Sequence, residues 1–163
     1  MNYNIISATK SDSDFVLSLN QDSIPSVSHL DLKKIDYFLQ ISSYFKIFKI
    51  DDNPVGFLIG LEPKKKYNSE NYIWVNQRYS SFIYLDRIII DSDHRNKGLG
   101  VYFYNHLIKS IKGHIKNILC EVNIKPYNEG SIKFHNKYGF KTIGEQHTEN
   151  GKKKVAYMRY DVK

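Results

Sequence analysis

The chain has 163 residues, 41% hydrophobic, 14% aromatic and 25% charged, a balance that fits one core and a single domain over residues 1–163 and is too short for two ordinary ones. No apolar stretch approaches the ~20 residues of a membrane-spanning helix, the N-terminal residues lack the basic and apolar regions of a secretory signal, and a lone Cys120 excludes a disulfide-stapled scaffold and suits a reducing cytoplasm. The formal net charge of +7 comes almost entirely from lysine, with arginine only at Arg78, Arg87, Arg95 and Arg159, so basicity selects no partner among nucleic acid, anionic membrane and phosphorylated small molecules.

In chain order, Asn4 to Ala8 reads as a short strand. Ser11 follows in the position of an N-cap, with Asp14 as its capping-box acid, and Phe15, Val16 and Leu19 recur at helical spacing. A break at Ile24-Pro25-Ser26 precedes a second helix from Asp31, with Leu32, Ile35, Phe38 and Leu39 on one face. Tyr44 to Ile50 and Val55 to Leu61 are two strands of a hairpin joined by the turn residues Asp51-Asp52-Asn53-Pro54. Glu62 to Ser81 reads as a long irregular segment rich in aromatic and amide side chains, among them Tyr67, Asn68, Asn71, Tyr72, Trp74 and Tyr79. Loops of that length are uncommon and often functional.

Phe82 to Ile90 is the strongest strand pattern. A glycine turn follows it, then a helix from Leu99 to Lys112 and a strand from Asn117 to Asn123. Strand, helix, strand in that order is a βαβ unit, which makes the two strands parallel. Asn128 to Tyr138 reads as a helix ended by Gly139, and Phe140 to Ile143 and Val155 to Asp161 as closing strands.

Arg95-Asn96-Lys97-Gly98-Leu99-Gly100 lies between a buried strand and the first turn of a helix. Glycine permits positive φ and close ligand approach, and a helix start presents unpaired N–H groups, so this turn is an anion cradle suited to a diphosphate. A P-loop is excluded because no Gly-Lys-Ser/Thr occurs, and the G-x-G-x-x-G fingerprint fails at Phe103. The pattern that fits is [RQ]-x-x-G-x-[GA], on Arg95, Gly98 and Gly100.

That loop, followed by Asn128, Ser131, His135, Gly139 and Phe140 at the spacing of a second signature, resembles the GCN5-related N-acetyltransferase (GNAT) superfamily over essentially the whole chain. The stretch YNSENYIWVNQRYSSFIYLDRIII, with Cys120-Glu121-Val122-Asn123, is similar to a narrower group of uncharacterised bacterial predicted acetyltransferases. The resemblance implies an α/β fold: a central twisted mixed sheet of about six or seven strands, a parallel, splayed central pair and about four flanking helices. It also implies direct acetyl transfer from acetyl-CoA to an amine, without a metal. The backbone of Ile88, Ile89 and Ile90 would pair with the pantetheine arm, and an N–H of Ile89 or Ile90 would stabilise the oxyanion. Arg95, Asn96, Lys97, Gly98, Leu99 and Gly100 would hold the diphosphate, and Asn128 and Ser131 would touch the cofactor.

The family's usual tyrosine acid, seven residues after the asparagine, is here His135, with Tyr138 and Tyr127 as nearby substitutes. For the base, strand alternation puts Tyr84, Asp86, Ile88 and Ile90 on one face and Leu85 and Arg87 on the other, and gives Glu121 and Asn123 a shared face. Asp86 in a strand that otherwise reads as buried must be paired or functional. Asp86 and Glu121 are therefore candidates for the base or the acceptor-ammonium site, the other reading being a buried ion pair with Arg87 or Arg159. Lys133 and Lys137 either reach the CoA phosphates or face water, and Cys120 reads as packing rather than as a nucleophile.

The acceptor wall is expected from residues 20–31, 62–81 and 144–154, where Asp22, Asp31, Glu70, Glu145 and Glu149 supply acid for a small-molecule or peptide amine. Membrane is not expected as a partner and nucleic acid is disfavoured, since the aromatic segment contains only Arg78. A homodimer is left open. The competing class is a non-catalytic CoA-binding or basic nucleic-acid-binding module.

Overall fold

Runs of large apolar residues set most of the strands, and the computed structural model, which describes residues 1–163, contains seven strands with five α-helices. In chain order these are β1 (Tyr3–Ser7), α1 (Ser13–Gln21), α2 (Leu32–Ile41), β2 (Tyr44–Ile50), β3 (Asn53–Leu61), α3 (Glu70–Asn76), β4 (Phe82–Ile90), α4 (Leu99–Ile111), β5 (Asn117–Lys125), α5 (Glu129–Tyr138), β6 (Lys141–Thr148) and β7 (Lys153–Asp161). Hydrogen-bonded neighbours run β1-β2-β3-β4-β5-β7-β6, and β4 and β5 are parallel. This is the mixed sheet that the family resemblance implies, with the parallel pair that the βαβ pattern predicts. No helix is long and apolar enough to cross a membrane.

The chain packs as two units, one from residues 1–61 and 87–110, the other from 62–86 and 111–163, so β4 divides after Asp86. In the first unit, β1 and β3 flank β2 in antiparallel register, and Asp51 and Asp52 turn the β2–β3 hairpin with positive φ. Ile47, Phe48, Phe57, Leu58 and Ile59 lose all contact with solvent, and Phe103 of α4 meets Phe48 edge to face at 5.5 Å. Two expectations are corrected in this unit. The chain enters its first helical segment at Thr9 rather than Ser11, because the Asp12 carboxylate turns back to accept the Thr9 N–H at 2.8 Å. The buried charge of β4 is Arg87, only 5% exposed. Its guanidinium donates to Asn20 Oδ1 at 2.7 Å and to Ser28 O at 3.0 Å and Oγ at 3.1 Å, so strand β4 fastens the α1–α2 connection through a forked set of three hydrogen bonds.

In the second unit, β4 pairs with β5 over four rungs only, Phe82↔Asn117 to Leu85↔Cys120, while β5 continues antiparallel to β7 and β7 to β6. Here the expected irregular segment proves to contain a helix. α3 starts at Ser69, whose hydroxyl caps Tyr72 N–H, and buries Tyr72 and Val75, three residues apart on one side. Apart from Glu70 its residues are weak helix formers, and the packing of Trp74 flat against Tyr157 supplies what propensity does not. β6 also runs longer than expected. Its polar pattern hides it, and its ladder with β7 creates it.

Candidate active site

The predicted site residues fall into two groups, one in each unit. In the first, β4 ends in Ile88, Ile89 and Ile90, with Ile89 buried and its neighbours half-buried. Asp91 caps a short turn over Ser92–His94 through Asp93 N–H at 2.8 Å, and its own N–H bonds Val55 O. Arg95 Nε donates to Ile90 O at 3.0 Å and Lys97 Nζ to Asp93 O at 2.8 Å, drawing both cations back over the loop. Asn96 and Gly98 take φ of 59° and 79°, the left-handed region. The first backbone bond of α4 runs from Tyr102 N–H to Gly98 O, so the amides of Leu99, Gly100 and Val101 precede every carbonyl four residues back within the helix. A Cβ at Gly98 would meet no atom within 4 Å. Exposed backbone turned left-handed, a helix start, two cations and open space at the glycine fit a diphosphate. Buried Leu99 anchors the loop from beneath.

The second unit contains the acid groups. Asp86 and Glu121 directly follow the last rung of the β4–β5 ladder. Asp86 is half-buried rather than enclosed, and the phenol of Tyr67 donates to its Oδ1. Glu121 stands opposite Tyr157 in the β5–β7 ladder. Asn71 Nδ2 donates to Glu121 Oε1 at 3.1 Å, and Asn71 Oδ1 accepts from Tyr157 Oη at 2.8 Å. Tyr84 is fully buried on the same face of β4 as Asp86. Burial pushes the Tyr84 phenol well up, and the negative charges of Glu121 and Asp86 add to it. Burial, followed by Glu121 and Glu70, raises Tyr157 in the same way. Both hydroxyls therefore stay protonated donors.

Of the two arginines proposed as alternative partners, Arg87 bonds Asn20 and Ser28, and Arg159 bonds Tyr79 at 3.3 Å and Asp161 at 3.0 Å. Tyr67 and Asn71, the partners that sequence reasoning did not assign, were visible only as members of an aromatic, amide-rich stretch.

Three further predicted residues belong to α5 of the same unit, Asn128 and Ser131 at its start and His135 in its last turn. Asn128 caps the helix by accepting Ser131 N–H at 3.2 Å. His135 is 4% exposed, edge-on to Phe134 and Phe140, with Nδ1 2.7 Å from the Ser131 carbonyl oxygen and 3.3 Å from its hydroxyl. A carbonyl only accepts, so Nδ1 bears the proton. Burial lowers the imidazole to about 4, partly opposed by that hydrogen bond, and the ring is neutral near pH 7. Burial, then Tyr160, lifts Tyr138 to about 12. Lys133 pairs with Glu129 at 2.7 Å on the exposed side. Cys120 is buried and its thiol raised well above the ordinary range by burial, then Glu121, as suits packing rather than nucleophilic attack. No group of three or more His, Cys, Asp or Glu side chains is arranged to hold a metal ion.

Residues 14–140 match the family model described as Acetyltransferase (GNAT) family. Among solved structures, the chain is similar to Ard1 from Thermoplasma volcanium, at 16% identity and a TM-score of 0.81, with 100% of this chain and 99% of that one covered. It is similar to the ribosomal-protein-S18-alanine N-acetyltransferase from Escherichia coli, at 16% identity, TM-score 0.73 and coverage of 99% and 94%. NAA60 from Arabidopsis thaliana, solved in complex with a bisubstrate analogue, matches at 15% identity, TM-score 0.76 and 98% of each chain. Identities this low show the fold alone. No curated protein sequence matches the chain.

Proposed function

The chain belongs to the GNAT acetyltransferase family, and on that premise we propose that this acyltransferase moves an acetyl group from acetyl-CoA directly to a primary amine of a small molecule or of a peptide. The observation that carries the acceptor class is the pair of carboxylates, Asp86 and Glu121, each bonded by an uncharged donor where the β4–β5 ladder stops. Acid groups held this way suit a cationic acceptor.

Acetyl-CoA, when bound, supplies an activated acyl carbon and a thiolate leaving group. Arg95, Asn96, Lys97, Gly98, Leu99 and Gly100 would hold its diphosphate with backbone amides and two cations. The backbone of Ile88, Ile89 and Ile90 would align the arm, and an N–H of Ile89 or Ile90 would meet the negative charge that develops on the carbonyl oxygen. Asn128 and Ser131 would add contacts; because Asn128 Oδ1 is taken by the helix cap, its amide nitrogen is the atom to offer.

The carboxylates would first orient the ammonium, directly or through water. An ammonium has no lone pair, so one proton must leave before attack, and Asp86 or Glu121 would pass it to solvent; the second proton is lost once the new C–N bond has made the nitrogen acidic, and the departing thiolate takes one up as the C–S bond breaks. The one N–H of the neutral His135 ring bonds the Ser131 carbonyl, so the acid role expected of this residue would need a second proton on Nε2. A reducing, acetyl-CoA-containing cytoplasm is the setting implied.

One fold neighbour is, by its name, an N-acetyltransferase of an alanine on a ribosomal protein, which puts peptide α-amines beside polyamines, amino acids and aminoglycosides in the acceptor panel. The test is thiol release from acetyl-CoA across that panel, with mass spectrometry of the product. Amine-dependent release with an added acetyl group supports the reading. Salt-sensitive nucleic-acid binding by calorimetry, with no affinity for acetyl-CoA, would replace it by the binding-module alternative.

A further inference from the structure

We propose that the segment 62–81 carries two positioning residues, Tyr67 and Asn71, which fix the Asp86 and Glu121 carboxylates for the acceptor amine. The inference rests on the assignment of those carboxylates made above and goes beyond it, to the residues that hold them.

Within the second unit, one stretch of chain reaches both acids: Tyr67 donates to Asp86 and, four residues on, Asn71 donates to Glu121. The chemistry of the amide fixes its orientation. A carboxylate only accepts, so the NH2 end faces Glu121, and the oxygen end takes the Tyr157 hydroxyl. An amide is the group that satisfies both neighbours at once. Neither donor carries charge, so each fixes an oxygen without offsetting the negative charge that an ammonium would meet.

The stretch is also braced as a positioning element must be. The Tyr72 hydroxyl donates to Glu62 O at 2.7 Å and accepts Lys65 N–H at 2.9 Å, and its ring packs on Tyr67 with centroids 5.6 Å apart. Trp74 stacks on Tyr157, and Glu70 Oε2 accepts Glu149 N–H at 3.3 Å. Tyr67 and Asn71 thus stand on a frame tied down before, between and after them.

Two double-mutant cycles test this by thiol release from acetyl-CoA, with spermidine, an alanine-starting peptide and hydroxylamine as acceptors. Asn71→Leu is expected to lower kcat roughly tenfold while leaving the KM for acetyl-CoA unchanged, and to have no further effect in an Glu121→Gln background. Tyr67→Phe is expected to behave likewise against Asp86→Asn. A purely structural role would add its full loss in both backgrounds, and that result overturns the proposal. Should Asn71→Leu fail to fold, Tyr157→Phe removes only the far bond of the amide and runs the same cycle. Glu121→Gln and Asp86→Asn at the parent rate would instead overturn the carboxylate assignment, a failure visible before any Tyr67 or Asn71 variant is made. No enzyme-dependent release with any of the three acceptors overturns the functional reading and this one with it.

Discussion

Trp74 lies flat on Tyr157, with ring centroids 3.9 Å apart and planes 5° from parallel, and Gly144 makes the space for it. A Cβ at Gly144 would stand 2.8 Å from Cζ2 and 3.0 Å from Cη2 of the indole. The indole has little freedom to yield, since the Arg78 guanidinium covers it at 4.0 Å and bonds the Trp74 carbonyl oxygen at 3.0 Å. Gly144→Ala is therefore expected to destabilise the fold by about 1–3 kcal/mol, lowering the melting temperature by a few to about 10 °C. A calorimetric scan at the parent temperature would show that the stack is not confined.

Arg87 gives a second stability prediction. Arg87→Met retains apolar bulk but leaves Asn20 Oδ1 and the Ser28 carbonyl without their charged donor, at a loss of about 1–3 kcal/mol. Lysine cannot reproduce the two-pronged geometry, so Arg87→Lys should recover less than half of the loss. Urea unfolding midpoints for the two variants decide it; full recovery with lysine would mean that charge, not the fork, matters.

His135 makes stability depend on pH with a definite sign. Folded, the ring takes a proton only near pH 4, whereas unfolded it does so near 6.5. Between those values the unfolded chain binds more protons, so this group's contribution is present above about pH 6.5 and is lost as pH falls through about 4. The full loss is about 3 kcal/mol. His135→Phe should flatten urea midpoints measured between pH 7 and 4.5, and an unchanged slope would remove His135 as their source. Turnover of the same variant at pH 7–8 should stay within about threefold of the parent. A hundredfold fall would return the residue to proton transfer.

Gly98→Val tests the loop. Its φ of 79° strains any side chain, valine most of all, at a folding cost of about 1–3 kcal/mol, and no neighbour blocks the new atoms. The variant should therefore fold, while calorimetry with CoA should show affinity weaker by at least about tenfold. Unaltered affinity would take the loop out of the cofactor site.

Local features were legible in the residues. Both ends of β4 agree with its apolar run, as do the Asn128 cap of α5 and its stop at Gly139, where φ is 120°. The glycine turn at 95–100 was legible because its conformation depends on glycine and on neighbours within six positions. Asp86 and Glu121 were readable as candidates but not in their surroundings. Alternation shows which face a side chain takes, not that Asp86 is half-open while Arg87 beside it is enclosed by Asn20 and Ser28, far back in the chain.

The amino-acid order alone settled what depends on short range: the apolar run of β4, the Asn128 cap of α5, the glycine turn and, through two spaced motifs, the acetyltransferase family. Tertiary structure decided α3 and the hydrogen-bond partners of the acids. Seven residues, six of them weak helix formers, gain too little from their own backbone bonds to be helical unaided. Their order comes from the ring of Tyr157, more than eighty positions away, and pairings at that distance leave no period in the sequence to read.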